Sequence, residues 1–314
     1  LGNLVTDRDQ IGESMPSREL AFTTPAGAPG WQRWMVLSPV ARIVFFIVVT
    51  ILLGLVVHVA TAGMGLDDAK APPLPRAVAK LLIQSSSAIM AYLALVRLIE
   101  HRWPTELSPR QLPLWGGVGL IIGSVLFCAV AGVLWLLGVY HVSGTNPQVD
   151  WLPAVLTTGL GAGIVEEIFC RGVLFRIVEE GMGTVWALAI SAAFFGVAHI
   201  FNPGATLWSS AAIAIEAGLM LGMLYHVTRS LWVCMGMHAA WNIMQGTVFG
   251  VPVSGTHADG WLVSYRTGPN WLSGGIFGAE ASVVALVICS LFTTALLIVA
   301  WRRRSFIAPS WRRH

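Results

Sequence analysis

Apolar runs of about 20 residues recur down most of this 314-residue chain, and that repetition limits its folds severely. A run of that length matches the thickness of a bilayer's hydrocarbon core when it is wound as a helix. Hydrophobic residues make up 55% of the chain and charged residues 11%, with a mean hydropathy of +0.71. These values lie well outside the range of ordinary soluble domains. The runs fall at about 41–62, 79–99, 114–138, 152–176, 184–200, 206–227, 231–248 and 280–301. An all-α polytopic membrane protein with about eight transmembrane helices is therefore expected, its bundle occupying residues 39–304.

The flanks differ from the bundle. Residues 1–38 are polar, mixed in charge and rich in Gly, Pro, Ser and Thr, which predicts a disordered N-terminal tail and no cleavable signal peptide. The chain begins with Leu1 rather than Met, which suggests a missing or unusual start. Residues 305–314 form a basic C-terminal tail. Arg97, Arg102 and Arg110 follow the second run, Arg176 the fourth, Arg229 the sixth, and Arg302, Arg303, Arg304, Arg312 and Arg313 the eighth. By the positive-inside rule all four places, and both termini, are assigned to the cytoplasmic side of a bacterial-type plasma membrane. Lys70, Arg76 and Lys80 run against that trend, partly offset by Asp67 and Asp68. The fifth and seventh runs are short and studded with polar residues, which suits the bundle interior.

Several function classes find no support. The net charge of +3 comes from arginines beside apolar runs rather than a basic face, so nucleic acid is not an expected partner. No GxxxxGK[ST] loop, dinucleotide fingerprint or internal repeat stands out. Cys128, Cys170, Cys234 and Cys289 all fall within apolar runs and are expected to be buried small residues. The segment 250–279 is rich in Gly, Trp and Ser and is too polar to span. It is either a lid over the mouth of the bundle or an ordinary solvated loop.

Within this apolar setting the stretch "GIVEEIFCRG" places Glu166, Glu167 and Arg171 on the fourth run. Ionisable groups in a bilayer are costly unless they face one another or a wet cavity, so they point to function. Glu167 and Arg171 are four apart with the carboxylate first, the favourable order for a pair on one helix face. Glu166 is turned about 100° away from Glu167 and can point elsewhere. Phe195 and His199 repeat the four-residue spacing on the fifth run, as do His238 and Asn242 on the seventh.

If these faces converge, one carboxylate, two imidazoles and a carboxamide surround a cavity able to hold water. That set suffices for hydrolysis: a partly desolvated carboxylate as base, a histidine to share the proton, and a second histidine and an amide to stabilise an oxyanion. Each group taken alone is equally a polar clasp between helices. Glu216 on the sixth run either lines the same cavity or clasps a neighbouring helix.

Taken in order, Glu166-Glu167-x-x-x-Arg171, Phe195-x-x-x-His199 and His238-x-x-x-Asn242 resemble the signature of the CPBP family. That family comprises the type II CAAX-prenyl endopeptidases and their bacterial relatives, also called the Abi family. The resemblance covers about residues 150–248, including "LMLGMLYHVTRSLWVCMGMHAAWN". It implies an eight-helix intramembrane endopeptidase, described as a glutamic protease and earlier supposed to use zinc. Carried over, Glu166 would activate water with help from His199, His238 and Asn242 would stabilise the oxyanion, and Glu167 and Arg171 would support the site. The implied partners are the lipid bilayer and a membrane-embedded or lipidated peptide or protein substrate.

Three other readings stay open at this stage. A zinc site could be built from Glu166, His199 and His238, although no HExxH is present. A non-catalytic relative could bind a partner in immunity or maturation without cutting it. A proton-coupled transporter could use the same intramembrane groups, but lacks a visible repeat.

Overall fold

The computed structural model describes residues 20–66, 68 and 70–313. It is 72% helical with almost no sheet, an all-α polytopic membrane protein. Among the described residues six helices are long and apolar enough to cross a membrane: Pro39–Gly63 (α1), Pro73–Ile99 (α2), Pro109–Leu136 (α3), Trp151–Phe201, Leu207–Thr228 (α6) and Val283–Arg302 (α8). The 51-residue element is two rods, 151–182 (α4) and 184–201 (α5), because Gly183 (φ 80°, ψ 173°) leaves helical geometry. One further helix, 231–248 (α7), is diluted by His238, Asn242 and Gln245 and falls outside the six.

Local chemistry fixes several boundaries. Pro39 begins α1 where a helix has no need of its first N–H, and the Ser38 hydroxyl accepts from the Ala41 N–H. Thr206 and Ser209 form a reciprocal cap at the start of α6, and Ser282 caps α8. A side chain at Gly183 would lie 2.5 Å from the Ile307 carbonyl oxygen. The C-terminal segment tucks there, with Thr184 N–H donating to Ile307 O at 3.0 Å and Ile307 N–H to Thr184 Oγ1 at 2.9 Å.

Helix α7 is the axis of the bundle, with no exposed residue along 231–248. Its approach to α3 depends on the absence of side chains: a Cβ at Gly119 or Gly123 would sit 2.3 or 2.2 Å from the Val233 or Met237 carbonyl oxygen. The expectation of an interior position holds for α7 but not for α5. The latter exposes Val185, Trp186, Phe194 and Val197 along one face, because only its other face carries the polar and small residues that pack inward. Cys170, Cys234 and Cys289 are buried, whereas Cys128 is exposed, lying on the outward face of α3.

The two ends of the bundle have different characters. At one end Glu100, between α2 and α3, accepts from three guanidiniums: Arg42 at 3.0 Å, Arg176 at 2.8 and 2.9 Å, and Arg102 at 3.0 Å. Tyr92 and Arg102 bind Glu106 beside it. Of the expected N-terminal tail, residues 1–19 lie outside the described residues. Residues 20–38 are ordered against the bundle instead, with a short helix Gly30–Met35 and a hydrogen bond from the Thr24 hydroxyl to Glu180 at 3.0 Å. The basic C-terminal segment likewise packs there through Ile307 and Arg313 rather than trailing away.

At the other end Tyr140–Thr145 (β1) pairs antiparallel with Leu262–Arg266 (β2), joining the α3–α4 and α7–α8 connections. Exposed tryptophans mark both ends, Trp31, Trp34, Trp103 and Trp301 at the first and Trp135, Trp151, Trp261 and Trp271 at the second. Such rings favour the two membrane interfaces.

Burial alone would push the Glu100 carboxyl up, but Arg176, Arg102 and Arg42 outweigh it and hold it below the ordinary carboxylate value. A pKa lower in the folded than in the unfolded state stabilises the fold above the unfolded value, and that stability is lost as pH falls through the folded value. Glu100→Gln should cost about 3–5 kcal/mol by leaving buried guanidiniums uncompensated. Thermal unfolding in detergent between neutral and acid pH checks this: the wild type should lose stability toward acid, and the variant should start lower and lose less.

Candidate active site

Helix α4 delivers adjacent glutamates into two environments. Glu167 is fully buried, and its Oε1 accepts from Arg171 NH1 at 2.8 Å, one turn along the same helix. The same oxygen accepts from His238 Nδ1 on α7 at 2.9 Å. Arg171 is also fully buried and donates through NH2 to the carbonyls of Ala217 and Gly218 on α6, at 3.1 and 3.0 Å. Its guanidinium carbon lies 5.0 Å from the centre of the Phe195 ring on α5. One ion pair thus touches α4, α5, α6 and α7.

Glu166, rotated away on the same helix, keeps 34% of its side chain accessible and faces a cleft. Its Oε2 is 3.9 Å from His199 Nε2 and 4.0 Å from His238 Nε2. That oxygen is buried and has no hydrogen-bond partner in the protein. Separations of this size are too long for direct hydrogen bonds but match the span across a single bridging water, about 4 to 5 Å.

Both imidazoles are held from behind. His199 Nδ1 lies 2.7 Å from the Phe195 carbonyl, which can only accept, so that nitrogen carries the proton. His238 Nδ1 donates to the Glu167 carboxylate, which fixes the same tautomer. Each Nε2 is left to face Glu166. Asn242, one turn beyond His238, donates from Nδ2 to the Thr158 carbonyl at 2.9 Å and retains a second N–H. The fold therefore brings together Glu166, His199, His238 and Asn242 around one cleft, with Glu167 and Arg171 directly behind them.

The cleft has a volume of about 250 Å³ and is lined by Lys80 and Gln84 of α2, Thr157, Thr158 and Glu166 of α4, His199, Asn202, His238 and Asn242, and Val253, Ser254 and Thr256. A second cavity on the far side of His199, His238 and Asn242 is lined by Glu216, Trp241, Ser254 and Glu280. Glu216 accordingly lines a cavity shared with the site, and it also accepts from the Cys289 thiol at 3.5 Å.

The 250–279 connection crosses the mouth. Asn202 Nδ2 donates to Ser254 O at 2.9 Å, and the Ser254 N–H and hydroxyl donate to Glu280 Oε1 at 2.5 and 2.6 Å. Burial pushes the Glu280 carboxyl up, opposed by its hydrogen bonds from Ser254 and by nearby Gln245 and His199. Glu280 and Ser254 were not among the sequence candidates. The available signal was an acid between Gly278-Ala279 and Ala281, small residues that allow close packing immediately before an apolar run.

The donor types suit zinc, but the spacing does not. Two ligands of a tetrahedral zinc lie roughly 3.4 Å apart, less than the 3.9 and 4.0 Å found here. Among the described residues no group of three or more His, Cys, Asp or Glu is arranged to hold a metal.

Residues 148–244 match the family model described as Type II CAAX prenyl endopeptidase Rce1-like. No curated protein matches the chain. The matched segment contains all six site residues and stops before Ser254 and Glu280.

Removing one partner of the buried pair isolates its role. Arg171→Met should leave Glu167 as an uncompensated buried charge and cost about 3–5 kcal/mol. Thermal unfolding in detergent reads this loss, and an unchanged midpoint would show that the pair does not hold the four helices.

Proposed function

We propose that this chain, which belongs to the type II CAAX prenyl endopeptidase family, is an intramembrane peptidase that activates water with Glu166 and His199 and stabilises the oxyanion with His238 and Asn242. The observation that carries this is the buried, unpartnered Glu166 Oε2 flanked at 3.9 and 4.0 Å by two Nε2 atoms.

Glu166 is the general base. It takes a proton from water as the oxygen attacks the peptide carbonyl carbon, and the carbonyl electron pair moves onto oxygen. His199, with Nδ1 protonated, offers the Nε2 lone pair to the same water. His238 differs because a carboxylate stands behind it: Glu167 stabilises the imidazolium form, whose Nε2–H can donate to the oxyanion. The second N–H of Asn242 supplies another donor. Glu166 then returns its proton to the amine nitrogen as the C–N bond breaks, so water's hydroxyl ends on the acyl product and its hydrogen on the amine. No serine or cysteine nucleophile is required.

The proposed substrates are membrane-associated peptides, CaaX-like sequences among them. Purified protein in detergent is to be given a fluorogenic prenylated CaaX-type peptide and a library of membrane peptides, with and without a chelator. Glu166→Gln should lose on the order of 10²–10⁴-fold in rate. Asn242→Ala should lose about 10²–10³-fold in kcat. Full activity of Glu166→Gln would refute the assignment, and loss of wild-type activity in the chelator would replace it with a metal-dependent one.

A further inference from the structure

The two ends of the bundle carry different charge, and the cleft opens at only one of them. Arg33, Arg97, Arg102, Arg110, Arg229 and Arg302–Arg304 lie at the end where both described chain termini pack. That these segments share one end is fixed by contacts: Arg42 and Arg176 meet on Glu100, Glu179 binds Arg229, and Trp232 donates to the Ser108 carbonyl. The opposite end carries Lys70, Arg76, Lys80 and Arg266. Basic loops are retained on the cytoplasmic side of a membrane, so the arginine-rich end is the cytoplasmic one.

The cleft is built from the other end. Lys80 and Gln84 stand near the start of α2, Thr157 and Thr158 near the start of α4, and His199 and Asn202 at the close of α5. Residues 253–256 come from the α7–α8 connection, whose β2 strand pairs with the α3–α4 connection. Toward the arginine-rich end the core directly beyond Glu167 is packed, and the apolar pocket beside it, lined by Trp103, Leu107, Ile164, Trp232 and Met235, includes none of the six site residues. Ile168, Phe175, Met223, Leu224 and Leu231 are each no more than 3% exposed.

We infer that the catalytic cleft opens on the face opposite the cytoplasm, and that its substrates are peptide segments of membrane-anchored proteins presented on that outer face. This rests on the peptidase reading for the word substrate, but the direction of opening stands on geometry and charge alone.

Two arms test it. In a Cys128→Ser background, Thr256→Cys marks the cleft mouth and Arg303→Cys the opposite end. A membrane-impermeant maleimide should label Thr256→Cys in intact cells or spheroplasts and Arg303→Cys only in inside-out vesicles. The reverse pattern would overturn the inference. Comparable yield and thermal midpoint of both variants establish that they are folded.

In the second arm, one cleavable segment is placed on either side of a single-span anchor and co-expressed with wild type or Glu166→Gln. Glu166-dependent cleavage only of the outward segment supports the inference, and cleavage only of the inward segment overturns it. Outward labelling with no cleavage of either anchor would count against the peptidase reading while leaving the direction of opening supported.

Discussion

The buried pair of Glu167 and Arg171 organises the rest of the site. A lone charge at this depth would be costly, and the arrangement spreads that cost over several partners. Arg171 meets one carboxylate and two backbone carbonyls, and Glu167 accepts from Arg171 and His238 through the same oxygen. The pair therefore locks α4 to α6, orients an imidazole on α7 and rests on an aromatic ring of α5. Glu166, one residue away but facing the cleft, is free of such partners. Adjacent glutamates serve different purposes because the helix turns them to different surroundings.

The two ends of the molecule extend the same logic. Ionic groups at the arginine-rich end satisfy one another, with Glu100 at the centre of three guanidiniums. They tie the N-terminal segment, the α2–α3 and α4–α5 connections and the C-terminal segment together. The opposite end has few cations, and there a strand pair and the hydrogen bonds of Ser254 with Asn202 and Glu280 border the cleft. The polar cleft that holds the site residues is lined from this end of the bundle.

Much of this was legible in the amino-acid order because the decisive relations are local. The four-residue spacings of Glu167 with Arg171, and of His238 with Asn242, specify shared helix faces, and the apolar runs specify the helices that carry them. The rotation between Glu166 and Glu167 likewise follows from helix geometry alone. What escaped depends on contacts between distant segments. Arg42 meets Glu100 across 58 positions and Ser254 meets Glu280 across 26, and no periodicity announces either. The ordered segment 20–38 reads as a tail because its polar composition does not reveal the carboxylate of Glu180 waiting for Thr24. Helix α5 reads as internal because it is short and studded with polar residues, yet Val185, Phe194 and Val197 give it an outer face; Cys128 is apolar-flanked but turned outward.

The central claim is that Glu166 activates a water, which in the substrate-free site sits among its carboxylate and the two imidazoles. A density map of the purified, chelator-treated protein, at a resolution where ordered waters are visible, tests it most directly. The account predicts a single water within hydrogen-bond reach of Glu166 Oε2, His199 Nε2 and His238 Nε2. A Glu166 carboxylate bonded directly to either imidazole, or a metal ion bound by all three side chains, would contradict it.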